Sequence, residues 1–154
     1  MWNPSERTLL DNLRANLIGI ETLLEDEETQ INGIVIIADF RGFGFAQARG
    51  LQPMVFRNYA NILLNCFPVR IKGIHVIEQP RVFTVVFAII SQFMKEKLRK
   101  RVYLHGSSMT TGLQAHIDGN LLPSDFGGSG APTDLREWVK YVMNAEEEYQ
   151  HLWM

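Results

Sequence analysis

The chain has 154 residues, 46% of them apolar and 21% charged, with a formal net charge of −2. That length suits one domain with a core of its own, and that composition excludes wholesale disorder. The single cysteine, Cys66, excludes an internal disulfide, four scattered histidines give no Cys/His zinc pattern, and no apolar run reaches the ~20 residues of a membrane span.

The first residues, MWNPSERTLL, lack the basic start and apolar core of a signal peptide, so a cytosolic chain is the expectation. Ser5 to Leu24 reads as a helix. Ser5 can cap it, Glu6 lies in its first turn, and Leu9, Leu10, Leu13, Leu17, Ile18 and Ile20 recur at near-helical spacing. The acidic run Glu25 to Glu28 reads as the solvated end of that helix, and Asn32-Gly33 as a turn. Ile34 to Ala38 is a continuous, mostly β-branched run, which predicts a central strand buried on both faces. Asp39 to Phe45 is a loop rich in Gly and Phe. A helix is predicted from Pro53 to Cys66, with Met54, Val55, Tyr59, Ile62, Leu63 and Phe67 on its buried side and Pro68 as its limit.

Ile71 to Ile77 is the second predicted strand, and Pro80 suits a helix start. From Val82 to Met94 nearly every residue is apolar, a pattern for a helix that is wholly buried or faces something other than water. Arg101 to His105 reads as a third strand, Gly112 to Ile117 as a short helix, and Asp134 to Tyr149 as a last helix with Leu135, Trp138, Val139, Val142 and Met143 inward. Strands alternating with helices predict an α/β fold, a mostly parallel sheet with flanking helices.

Charge is segregated along these elements. Residues 1–33 sum to −5, 34–56 to +1, 57–101 to +7 and 102–154 to −5. A cationic middle of this size suits a phosphate-bearing partner (lipid head group, nucleic acid or acidic protein), or is a set of solvated surface charges. The Gly-rich stretch Gly42 to Gly50 fits neither the dinucleotide fingerprint nor the P-loop, and Asp125-Phe126-Gly127 lacks the companion motifs of a kinase. Ser107 and Ser108 have no nucleophile elbow and no placed base, which leaves a hydrolase with little support. His75, alternating with Ile74 and Val76, reads as a packed, hydrogen-bonded side chain, and His105 at a strand end is the histidine most open to a role. Cys66 reads as a small core residue.

The informative feature is the greasy helix that runs directly into the basic segment Lys95 to Arg101. At ~1.5 Å per residue it spans ~20 Å, too short for a bilayer. It suits a gate over an apolar cavity, or a segment that dips into a membrane surface. Core burial and the helix dipole are the plainer explanations of the same pattern.

Several separate motifs stand in one order. They are Asn32-Gly33 with Asp39-x-x-Gly42; Phe67-Pro68-x-Arg70-x-Lys72-Gly73-Ile74-His75-x-Ile77-x-x-Pro80-x-x-Phe83; Lys97-Leu98-x-x-Arg101-x-x-x-His105-Gly106; and Leu122-Pro123-x-x-Phe126-Gly127-Gly128. From residue 8 to residue 145 the chain thereby resembles the CRAL-TRIO lipid-binding domain, in the branch of the tocopherol transfer protein, the retinaldehyde-binding protein and the clavesins. The resemblance implies a non-enzymatic carrier that holds one hydrophobic molecule in an apolar cavity between the sheet and a mobile helical gate, here about Pro80 to Lys100. Carried over residue by residue, it implies a lipid cavity lined by Leu13, Ile34, Phe43, Tyr59, Ile62, Leu63, Phe67, Ile71 and Ile74, with Phe83, Val86 and Ile89 on the gate. It implies a phosphoinositide site at Arg57, Arg70, Lys72, Lys97 and Arg101, whose cationic groups give phosphate charge-assisted hydrogen bonds.

The implied partners are a hydrophobic small-molecule lipid and a phosphoinositide-containing membrane surface, with no cofactor, metal or nucleic acid. The implied location is cytoplasmic, with reversible peripheral attachment to membranes. Two polar cavity positions of the tocopherol protein fall on Asn16 and Ile20, and an apolar Ile20 argues against tocopherol itself as cargo. Relative to the family, residues 1–154 read as one truncated domain lacking the N-terminal helical bundle and the first strand of the sheet. The alternative is a membrane-adaptor or protein-interaction module without cargo.

Overall fold

The structure, a computed structural model, describes residues 3–149. The single-domain expectation over 1–154 runs past these at both ends. Helix α1 (Leu9–Leu23) starts later than Ser5 suggests. Thr8 and Asp11 form a reciprocal capping box, in which the Asp11 N–H donates to Thr8 Oγ1 at 3.2 Å and the Thr8 N–H to Asp11 Oδ2 at 3.0 Å. Ser5 has no acid or amide three positions on, so the box closes at Thr8. Asp26 accepts from the Thr29 N–H at 2.8 Å and caps α2 (Glu27–Asn32). The acidic run therefore opens a second helix instead of closing the first, with Glu27 and Glu28 in the turn where the helix dipole favours them. Gly33 ends α2 at φ 80°, and a Cβ there would strike the Arg70 carbonyl.

Three parallel strands, β1 (Ile34–Asp39), β2 (Ile71–Ile77) and β3 (Val102–Leu104), form a sheet in that order. Helices α3 (Phe45–Gly50) and α4 (Pro53–Asn65) make the first crossover. Helix α5 (Arg81–Ile90), a 3-10 turn (Ser91–Phe93) and α6 (Glu96–Arg99) make the second. Helix α7 (Met109–Gln114), a 3-10 turn (Ser124–Phe126) and α8 (Arg136–Tyr149) follow β3. This is the α/β architecture that the alternation of strands and helices predicts.

Several local expectations are corrected. Among the described residues β1 is a sheet edge and Val35 is 45% exposed, so the strand buried on both sides is β2. A continuous apolar run reports avoidance of water, not the number of neighbouring strands. Helix α3 stands beyond a loop where no helix is predicted. The apolar stretch after Pro80 is α-helical only to Ile90, where Ser91 Oγ donates back to the Ala88 carbonyl at 3.1 Å and a 3-10 turn begins. Gly112 lies inside α7 and not at its start, because its missing Cβ makes room for the His105 ring. Cys66 is exposed at the end of α4. Of the residues expected inward on α8, Trp138 and Val142 are half-buried, but Leu135, Val139 and Met143 are 58%, 49% and 61% exposed. That helix meets the fold chiefly along α1, where the Tyr141 hydroxyl donates to Glu25 at 2.6 Å.

One irregularity positions the site. Ile34 pairs with Ile71 and Val35 with Gly73, so Lys72 is an extra residue on β2. This bulge sends Ile71 to the same face as Ile74 and leaves Lys72 exposed. An apolar cluster on that face joins Ile20, Leu24, Leu63, Ile71 and Leu98, with Ile34, Tyr59, Phe67, Ile74 and Met94 packed on it. A second cluster joins Ile77, Leu113 and Leu122 with Ile37, Met109, Ile117 and Phe126. Ile34 and Ile74 belong to one and Ile37 and Ile77 to the other, so strand alternation puts the clusters on opposite faces.

Candidate functional site

Six of the expected cavity residues, Ile34, Tyr59, Leu63, Phe67, Ile71 and Ile74, meet in the first cluster. They come from β1, α4, the loop before β2, and β2 itself. Burial pushes the Tyr59 phenol above its ordinary pKa, so it stays neutral there. Leu13 is buried on α1, one turn before Leu17, which packs on the same cluster. Phe43 and Phe83 meet edge-to-face at 5.7 Å between ring centroids, within a group completed by Phe40 at 4.1 Å and Phe87 at 6.1 Å from Phe83. Phe83 is buried and Val86 half-buried. Ile62 and Ile89 are exposed, on the outer sides of α4 and α5, and are not brought in. Helix α5 thus presents one apolar side to the fold and another, with Val85 and Ile89, to the surroundings.

The basic residues converge more sharply. A pocket of about 380 Å³ is lined by Val69, Arg70, Ile71, Lys95, Lys97, Leu98 and Arg101. Four of these are cations and none is an acid. Arg70 precedes β2, Arg101 precedes β3, and Lys97 lies on α6. The Arg101 guanidinium also donates to the Ile71 carbonyl, tying the two strand entrances together. Glu96, the nearest carboxylate in sequence, is paired with Lys100 at 2.7 Å. Like charges gathered in one concavity repel, and an anion among them relieves that cost. Arg57 and Lys72 are exposed and do not line this pocket. Ile71 and Leu98 belong both to the pocket wall and to the apolar cluster. The cationic and apolar sites therefore share a wall.

Lys95 was not assigned by the motif pattern, although it opens the basic run that ends at Arg101. The opposite face of the sheet holds a group that the sequence shows only in part. His75 is 2% exposed, and its Nδ1 lies 2.9 Å from His105 Nε2. Tyr103 stacks on His75 at 4.9 Å, and His116 tilts over Tyr103 at 4.2 Å. Burial first, then the neighbouring imidazoles, hold His75 and His105 below the ordinary histidine pKa. Among the described residues no group of His, Cys, Asp and Glu is arranged to hold a metal ion, and no helix is long and apolar enough to cross a membrane.

A family model described as "CRAL/TRIO domain" matches residues 1–128. The chain belongs to the CRAL/TRIO family. It is 38% identical over 148 residues to the mouse "Alpha-tocopherol transfer protein-like", a match covering 96% of this chain and 43% of that protein. It is 39% identical to Xenopus laevis "Clavesin-1" over 97% of this chain and 46% of that protein, and 40% identical to rat "Clavesin-2" over 94% and 44%. The chain spans less than half the length of these curated relatives. The order of motifs in the sequence and the CRAL/TRIO match agree.

Proposed function

We propose that this CRAL/TRIO chain binds a small hydrophobic lipid in the apolar face of its sheet and transfers it between membranes, docking through the cationic pocket on phosphoinositide head groups. The observation that carries this reading is the shared wall: Ile71 and Leu98 line a four-cation pocket on one side and an apolar cluster on the other. A phosphorylated lipid surface and a hydrophobic cargo call for these two chemistries side by side. Helix α5 serves as the gate, with Phe83 and Val86 toward the cargo face. The cavity residues are those expected from the motifs apart from Ile62 and Ile89, which face outward, and the phosphate set is Arg70, Lys97 and Arg101, with Arg57 and Lys72 adding to the surrounding field. A relative named for tocopherol transfer supports the transfer class, while Ile20 in place of a polar side chain favours a cargo other than tocopherol. Attachment to the membrane is peripheral and reversible, and the protein performs no chemistry on its cargo.

The test is co-sedimentation with phosphatidylcholine vesicles, with and without phosphatidylinositol bisphosphate. Arg70→Ala combined with Lys97→Ala removes two pocket cations while sparing the Arg101 bond to Ile71. At ~1 kcal/mol per basic residue near an anionic surface, the double variant binds about thirtyfold more weakly. Unchanged binding refutes the head-group assignment.

A further inference from the structure

Met94 and Lys95 are two extended residues (ψ 139° and 142°) between the 3-10 turn that ends α5 and the start of α6. Met94 packs on the apolar cluster, and Lys95 lines the cationic pocket. The other cations of the pocket stand elsewhere: Arg70 and Arg101 flank the entrances of β2 and β3, and Lys97 lies within α6. Of the four, Lys95 stands nearest in sequence to the end of α5, two residues past the 3-10 turn.

We propose that Lys95 is a phosphate-holding and positioning residue that couples an engaged head group to α5. This rests on the reading of the pocket as a phosphate site. An anion held by Lys95 together with Arg70, Lys97 and Arg101 draws the 94–95 link toward the strand entrances and lifts Met94 from the apolar cluster. The N-terminal half of α5 is pinned by Phe83, which packs on Phe40 and Phe43 outside the helix, whereas Ile90 is the buried side chain that the far end must lift. Its C-terminal end continues only through a single 3-10 turn. The gate therefore moves about its first turn, with its far end following Lys95. A ligand shifts such an equilibrium only by binding one position of the gate better than the other. Lys95 supplies that difference, since its ammonium moves with the link while Arg70 and Arg101 stay with the sheet. Lys72, displaced to the surface by the bulge, has no such connection.

The experiment compares the full chain with Lys95→Ala, Lys95→Arg, Lys72→Ala, Arg70→Ala and Lys97→Ala. Each is titrated with phosphatidylcholine vesicles containing or lacking phosphatidylinositol bisphosphate, and hydrogen exchange of residues 81–94 is read at matched bound fraction. Thermal midpoints confirm that each variant is folded. Lys95→Ala is expected to bind about fivefold more weakly and to lose the phosphoinositide-dependent rise in exchange of 81–94. Lys95→Arg keeps both, and Lys72→Ala keeps the rise. A Lys95→Ala protein that retains the full rise at matched occupancy overturns the coupling, as does a wild-type protein whose 81–94 exchange does not respond. If the Arg70, Lys95 and Lys97 variants all bind like the wild type, the phosphate reading itself is wrong and the inference falls with it.

Discussion

Replacing Phe83 with leucine loosens α5 without emptying its site. Phe83 is 5% exposed and touches Phe40, Phe43 and Phe87, at ring-centroid distances of 4.1, 5.7 and 6.1 Å. Leucine keeps most of the apolar burial and removes the ring–ring terms, each worth ~0.5–1.5 kcal/mol beyond area. A loss of ~2 kcal/mol for the group corresponds to about a thirtyfold change in an opening equilibrium. If α5 unfolds apart from the sheet, with Phe83 leaving its ring partners, that factor appears locally. Native-state hydrogen exchange read by mass spectrometry is the assay, comparing peptides that cover 81–90 with those that cover β2. Amides of 81–90 exchange about thirtyfold faster, while those of 71–77 keep their protection. Equal acceleration of both segments refutes the gate, because α5 then opens only when the whole sheet does.

Leu113→Ala tests the division of the two faces. Leu113 is 0% exposed in the cluster on the far side of the sheet from the pocket, so truncation costs ~2–5 kcal/mol. For a chain of this length, ~3 kcal/mol lowers the thermal midpoint by about 6–12 °C. Vesicle binding and bound lipid per folded chain stay unchanged, and a change in either without a fall in the midpoint contradicts the division. Acid should weaken the fold through His75 and His105. Their folded pKa values lie below the ordinary value of about 6.5, chiefly through burial. The unfolded chain therefore takes up protons first, so stability is full above that pH and falls as pH drops from there toward the lower folded values. Chemical denaturation between pH 7 and 5 reads this slope, and His105→Gln is expected to flatten it; an equally steep slope in the variant counts against the histidines. Charge reversal at Arg70 (Arg70→Glu) is expected to weaken binding to phosphoinositide vesicles about thirtyfold. Added salt should narrow the gap to the wild type as the Debye length shrinks, and a gap indifferent to salt speaks against an electrostatic contact.

The sequence reads well where one local pattern decides the outcome. Strand β2 spans the predicted Ile71–Ile77 because β-branched residues are bounded by turn and proline signals. Pro53 and Pro80 mark the starts of α4 and α5, where a missing N–H costs nothing. The pattern fails where a neighbour decides. The edge position of β1 depends on which strands lie beside it, and the exposed apolar residues of α8 on how much surface α1 offers. The same limit explains the candidate site. Arg70, Lys97 and Arg101 were legible from motif order, and the structure gathers them in one pocket. Lys72 was legible too, but a one-residue bulge removes it from the pocket wall. Lys95 takes a place there because the helix before it ends early, at a serine that bonds backward. Neither the bulge nor the extended link has a signature in residue type alone. The His75–His105 pair joins residues thirty positions apart in sequence, so spacing could suggest a buried His75 but not its partner.

Lipid carriage requires that the apolar face formed by α1, β1, α4, β2 and α6 hold a hydrophobic molecule. The most direct measurement is organic extraction of the purified full chain, before and after incubation with lipid vesicles, followed by mass spectrometry of the extract. One hydrophobic lipid species is expected, recovered in near-equal molar amount with the protein and displaced when Leu63→Trp or Ile74→Trp fills the face. A folded, monodisperse protein that yields no lipid under either condition contradicts lipid carriage.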